Sequence, residues 1–236
     1  MHVLVTRPQG QQQALVEALQ RLGLQVTHQP ALLIEALDPD GATRQRLMNL
    51  DQYHAVFVVS RNAARIGVSL LQNYWPQWPA GVQWIAVGHA TAEILEQVGL
   101  APLYPETGFN TEAVLALPVL ADVREKRVLI LRGDSGRELF ADSLRARGAG
   151  VDALTLYRRR CNDAFCWPEK AVDIVLVTSV ESWQCLLKAA VVPASALVIA
   201  GAGRIADEVR GSGHRRVLAS ASPRDEDMLK VVRESL

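Results

Sequence analysis

The shortages in this 236-residue sequence narrow its function before any motif does. Neither sign of charge is in excess: Lys plus Arg and Asp plus Glu stand at 25 each. That balance gives no broad field for a nucleic acid or a membrane surface, so any anion recognition must be local. There are three cysteines, Cys161, Cys166 and Cys185, with no CxxC pair and no histidine at metal-ligand spacing. Buried thiols in a reducing compartment are the expectation, in preference to a disulfide or a metal site. No apolar run approaches the roughly eighteen residues of a membrane span. The opening residues, Met1-His2-Val3-Leu4-Val5-Thr6-Arg7-Pro8, meet a charge and a proline too early for a signal peptide. A cytoplasmic protein is expected, with no metal, membrane or nucleic acid to bind.

The hydrophobic share of 49% and charged share of 21% are those of an ordinary globular chain, long enough for one large domain or two small ones. Its organisation is a duplication. His2-Val3-Leu4-Val5-Thr6-Arg7 and Arg127-Val128-Leu129-Ile130-Leu131-Arg132 each precede a helical pattern, a glycine and a further strand. Arg7 and Arg132, Leu19 and Leu144, Gly23 and Gly148, and Val26 and Val151 all pair at one offset. A second unit repeats as well: Ala55–Ser60 matches Asp173–Ser179, and Trp84–Gly88 matches Ala196–Gly201. Both copies close with a strand, a polar turn and a short helix, in Pro105–Leu117 and Ser222–Val232. Continuous Val/Ile/Leu strands alternating with helices predict parallel sheets covered on both faces. The fold class is therefore α/β, as two flavodoxin-like domains with parallel sheets. Which units associate stays open, because Ala31–Leu37 and Ala153–Arg160 read equally well as sheet strands or as connectors between domains.

Ligands of open α/β sheets gather beyond the carboxyl ends of the strands. Those ends hold Thr6-Arg7, Ser60-Arg61-Asn62, Gly88-His89, Arg132 to Arg137, Thr178-Ser179 and Gly201-Ala202-Gly203. Hydroxyls, glycines and arginines dominate. There is no Ser-His-Asp set, no convincing carboxylate pair and no metal cluster. Free N–H groups at helix starts and bidentate arginines suit a multiply anionic ligand. The plainer alternative is that the serines, threonines and glycines are caps and turn residues. Arg7, Arg61, Arg132 and Arg137, cations repeated near strand ends, are harder to explain that way. Tyr157 ends Leu154-Thr155-Leu156-Tyr157 and is either a half-buried connector residue or a weak proton donor. Gly201-Ala202-Gly203-Arg204-Ile205-Ala206 fits a dinucleotide fingerprint. Only one further strand follows it, however, with no acidic residue at its end to grip a ribose.

Several short segments, in this order, resemble the uroporphyrinogen-III synthase family along essentially the whole chain. They are Val5-Thr6-Arg7-Pro8, Val59-Ser60-Arg61-Asn62-Ala63, Val87-Gly88-His89-Ala90-Thr91-Ala92 and Pro105-Glu106-Thr107-Gly108-Phe109-Asn110-Thr111-Glu112. Arg132-Gly133 with Gly136-Arg137, Leu156-Tyr157-Arg158 and Val177-Thr178-Ser179 continue the series. The second half departs where Gly203-Arg204 stands in place of a match to Thr91. The resemblance implies a first domain of residues 1–34 and 161–236, a second of 39–154, and connectors at 35–38 and 155–160. It implies a cofactor-free lyase that dehydrates and cyclises hydroxymethylbilane, inverting ring D, to give uroporphyrinogen III. Substrate contacts are then expected from Thr6, Arg7, Ser60, Arg61, Asn62, Gly88, Thr91, Gly108, Arg132, Arg137, Ser179 and Gly201, with Tyr157 assisting departure of the hydroxyl. The implied partners are the polycarboxylate tetrapyrrole substrate and, transiently, the upstream hydroxymethylbilane synthase, with the chain a monomer. A two-domain protein that closes on an anionic small molecule without chemistry is the rival reading, since a fold alone does not fix a function.

Overall fold

The computed structural model describes residues 1–107, 111–135 and 138–236. The expected contacts Gly108 and Arg137 lie outside the described residues. The chain opens with β1 (His2–Val5), α1 (Gln13–Arg21), β2 (Gln25–His28) and β3 (Leu32–Ala36). Then come α2 (Gly41–Met48), β4 (Ala55–Val58), α3 (Arg61–Leu71), β5 (Gln83–Ala86), α4 (His89–Glu96) and α5 (Thr111–Leu115). The second copy supplies β6 (Arg127–Gly133), α6 (Leu139–Ala146), β7 (Gly150–Cys161), β8 (Ile174–Val177) and α7 (Val180–Ala189). It ends with β9 (Leu197–Ala200), α8 (Gly203–Gly211), β10 (Val217–Ala219) and α9 (Asp225–Glu234).

Two compact units result, Met1–Ile34 with Arg159–Leu236, and Glu35–Arg158. Residues 35–38 and 155–158, expected as connectors, fall inside the second unit, where Leu37 N–H donates to the Leu156 carbonyl at 2.8 Å. The first sheet runs β10-β9-β8-β1-β2 and the second β3-β7-β6-β4-β5. Each copy is thereby divided between the units. β1 of the first copy pairs in parallel with β8 of the second, and β4 of the first with β6 of the second. Leu103 adds a parallel bridge to Ile85 beyond β5. From β6 onward the second sheet therefore repeats the strand order of the first.

The registers match residue by residue. Val3, Leu4 and Val5 face Ile174, Val175 and Leu176; Val128, Leu129 and Ile130 face Ala55, Val56 and Phe57. Successive strand side chains point to opposite faces, so fully apolar strands must be covered on both. In the first unit Val3, Val5, Ile174 and Leu176 pack with Leu15 and Leu19 of α1 and with Met228 and Val232 of α9. Leu4, Val175, Val177 and Val198 pack on the other side with Trp183 of α7 and Ile205 and Val209 of α8. Phe57, Ile85, Val128 and Ile130 meet Phe140 and Leu144 of α6 and Val114 of α5 in the second unit.

The cysteine expectation needs correction. Cys161, at the end of β7, is disulfide-bonded to Cys185 on α7 with Cα atoms 5.0 Å apart, and only Cys166 is free. A bridge needs Cα atoms brought close by the fold, which spacing along the chain does not reveal. No helix among the described residues is long and apolar enough to cross a membrane.

Candidate functional site

In the second unit the carboxyl ends of β4, β6 and β7 converge. Ser60 caps α3, its Oγ accepting from Ala63 N–H at 3.1 Å, and that Oγ lies 3.0 Å from the Tyr157 hydroxyl. Tyr157 reaches this position through an irregularity in the β6–β7 ladder: Arg132 pairs with Thr155, but Gly133 pairs with Tyr157. The ring then lies directly on Gly133, where a Cβ would stand 2.7 Å from its Cε2 and Cζ. Asp134 N–H closes the contact by donating to the Tyr157 carbonyl at 2.8 Å. Tyr157 is buried, 6% exposed, with its hydroxyl beside Ser60 at the strand ends. A pair of hydroxyls carries two protons and needs only one for its mutual bond, so the other is available to a neighbouring group.

Arg132 leaves the same edge. Its Nε donates to the Gly133 carbonyl at 3.3 Å, and its Nη1 meets Glu138 Oε1 at 2.5 Å. The arginine side chain is 17% exposed and the glutamate 54%. Beside Arg132 lies a cavity of about 160 Å³, with Phe57, Ile130 and Phe140 among its walls and Thr111 and Ser135 as polar groups. Gly88, with extended backbone, precedes α4, and Thr91 in the first turn is buried at 3% exposure. Arg61 is exposed and Asn62 half-buried in the first turn of α3. Among the described residues no cluster of His, Cys, Asp and Glu could hold a metal ion.

The expected contacts in the first unit have different surroundings. Thr6 is fully buried and its hydroxyl donates to the Leu176 carbonyl at 2.7 Å. Arg7, 5% exposed, is committed to its own chain: its guanidinium pairs with Asp225 and donates to the Pro223 carbonyl at 2.6 Å and to the Gln11 carbonyl at 3.3 Å. Its own carbonyl accepts from His28 Nε2 at 2.9 Å, with His28 the donor in that tautomer. A Cβ at Gly201 would lie 2.9 Å from Pro223 Cβ, so glycine is what admits this segment to the strand ends. Ser179 caps α7, accepting from Ser182 N–H at 3.0 Å. These residues brace the strand ends; the expectation that Thr6 and Arg7 present free groups to a ligand does not match their geometry.

Thr111 and Ser135 lie in segments the sequence singled out but were not among the expected contacts, and Glu138 was not singled out at all. The signal for Thr111 was nonetheless present. Ala86 and Ala200, and Val114 and Met228, are equivalent pairs in the two sheets and their helices; at the same offset Thr91 meets Ile205, which corrects the expected match to Gly203-Arg204, and Thr111 meets Asp225. The match of Pro105–Leu117 with Ser222–Val232 had to be read residue by residue to see it.

Fold and strand-end chemistry together define an α/β protein of two related units with hydroxyl, glycine and arginine groups where open sheets take ligands. Residues 13–230 match the family model described as uroporphyrinogen-III synthase HemD. The chain is 35% identical over 193 residues to uroporphyrinogen-III synthase of Escherichia coli (strain K12), covering 79% of this chain and 78% of that protein. To the enzyme of Proteus mirabilis it is 33% identical over 194 residues, covering 79% and 98%. Uroporphyrinogen-III synthetase of Helicobacter pylori 26695 shares the fold at 12% identity, with a TM-score of 0.65 over 100% of this chain and 99% of that one. A mutant synthase of the extremely thermophilic bacterium Thermus thermophilus does so at 18% identity, with a TM-score of 0.63 over 100% and 98%. The chain belongs to the uroporphyrinogen-III synthase family.

Proposed function

We propose that this chain is a uroporphyrinogen-III synthase, a lyase that removes water from hydroxymethylbilane and closes the macrocycle with ring D inverted. The carrying observation is the 35% identity to a synthase over most of the chain, and it favours catalysis over binding alone. The pyrrole nitrogen of ring A expels the hydroxyl, whose C–O bond breaks as it takes up a proton and leaves as water. The resulting cation is attacked by the substituted carbon of ring D. Cleavage and reclosure of the spiro intermediate at the other ring carbon, followed by loss of a proton, restore the pyrrole. No redox change occurs and no cofactor is part of the proposal.

Such a reaction asks the protein mainly to hold a flexible polyanion in one geometry. Arg132 supplies charge for a carboxylate, and Ser60, Asn62, Gly88, Thr91, Ser179 and Gly201 are proposed to position the substrate. The surplus proton of the Ser60–Tyr157 pair is assigned to the departing hydroxyl, with Tyr157 as donor. Gly108, Arg61 and Arg137 are retained as proposed contacts, and Thr6 and Arg7 as the frame that supports Ser179 and Gly201. We further infer a cytoplasmic monomer that receives its unstable substrate by transient contact with hydroxymethylbilane synthase.

The test is to supply freshly generated hydroxymethylbilane, oxidise the product and separate the isomers. Isomer III is expected, and isomer I alone, as without protein, refutes the function. Tyr157→Phe is expected to lower kcat by about a hundredfold, at the low end for loss of a general acid. Unchanged turnover removes Tyr157 from the mechanism.

A further inference from the structure

The duplication lets each unit be read against the other. Arg7 and Arg132 are equivalent, since the β1–β2 and β6–β7 registers run in parallel: Val5 with His28, and Ile130 with Ala153. Asp225 and Thr111, the first residues of α9 and α5, are equivalent too. In the first unit the Asp225 carboxylate sits on the Arg7 guanidinium. The second unit has threonine at that place, and the 160 Å³ cavity lies there, lined by both Thr111 and Arg132. One unit fills this place with the Asp225 carboxylate; the other has a cavity there, and Arg132 is paired from a different side chain, the half-exposed Glu138.

We propose that the cavity bounded by Arg132, Thr111 and Ser135 takes one carboxylate arm of the substrate, in the place that the Asp225 carboxylate occupies in the first unit, and that Thr111 keeps this place open. The proposal rests on the synthase reading for the identity of the ligand. An acetate or propionate arm combines a short apolar stem with a charged end. Phe57, Ile130, Phe140 and Ala141 suit the stem, while Arg132 with the Thr111 and Ser135 hydroxyls suits the carboxylate. Glu138 is the partner of Arg132 before a ligand arrives. It is half-exposed, and its equivalent in the first unit is the uncharged Gln13. A ligand carboxylate has to share Arg132 with it or turn it out to water.

Thr111→Asp would give Arg132 the internal carboxylate that Arg7 already has. The measurements are KM and kcat for hydroxymethylbilane, with calorimetric titration of uroporphyrin III, an octacarboxylate, as a readout free of catalysis. Thr111→Asp is expected to raise KM and the uroporphyrin Kd at least tenfold, and to lower kcat less than it raises KM. Thr111→Asn, equal in size but uncharged, is expected to raise both constants two- to threefold. Equal effects of the two variants overturn the proposal, because size alone then explains them. Should Thr111→Asp fail to fold, Thr111→Val decides: a two- to fivefold rise in Kd supports the site and an unchanged Kd refutes it. If the wild type makes no isomer III while the binding contrast persists, the synthase reading fails and the carboxylate site stands.

Discussion

Replacing Arg7 by methionine separates a brace from a substrate contact. Methionine keeps much of the side-chain volume and removes the charge. The guanidinium is 5% exposed and holds Asp225, the Pro223 carbonyl and the Gln11 carbonyl. Removing one member of a buried ion pair costs about 3–5 kcal/mol, because the other charge is left without compensation. Asp225 is 35% exposed, so water recovers part of that loss, and a cost of about 2–3 kcal/mol is expected. For a chain of this length each kcal/mol moves the melting temperature by about 2–4 °C, which places the fall at roughly 4–12 °C. Differential scanning calorimetry reads this directly. Asp225→Asn should be less than additive with it, since both act on one pair. An unchanged Tm accompanied by a several-fold rise in KM would refute the reasoning and make Arg7 a ligand residue.

Gly133→Ala forces a Cβ to within 2.7 Å of the Tyr157 ring; overpacking of this kind costs about 1–3 kcal/mol. It should also displace the hydroxyl from Ser60, so its kcat should fall at least as far as that of Tyr157→Phe, as steady-state assays would show. At the opposite strand ends Asp152 accepts from Arg127, Tyr53 and Arg46 at 2.9–3.1 Å. Burial alone would raise its pKa, but the hydrogen bonds from Arg127 and Tyr53 and the charges of Arg46 and Arg127 outweigh it and leave the pKa lowered. Its stabilisation is therefore present above the ordinary value of 3.8 and lost as pH falls below it, so Asp152→Asn should flatten the acid limb of a Tm–pH curve. For the Cys161–Cys185 bond, closing a loop of 24 residues is worth about 3 kcal/mol. Thiol titration of the denatured protein should count one free thiol where the bond persists and three where the compartment reduces it.

The two α/β domains were legible because parallel strands covered on both faces must be apolar throughout, and that pattern occurs twice. The partition of the copies was legible only through the family resemblance and not from the repeat pattern, and duplication is the reason. β4 and β8 present near-equivalent faces to β1 and β6, so pairing within a copy and pairing across copies bury similar surface. What distinguishes them is where the chain passes between units, along β3 and β7, and those segments read equally well as strands or connectors.

The same ambiguity governs the site. Arg7 and Arg132 end equivalent strands and invite one reading, yet one is sealed by Asp225 and the other borders a cavity. The decision lies 218 residues away from Arg7, in the first residue of α9, and in the equivalent first residue of α5 for Arg132. A cation at a strand end is thus only half of an anion site. The other half is which counter-charge the chain itself supplies: Asp225 for Arg7, and the more exposed Glu138 for Arg132. In a duplicated protein the two copies show both arrangements, so comparing them position by position separates the arginine sealed among Asp225, Pro223 and Gln11 from the one that borders a cavity and is proposed to meet a ligand.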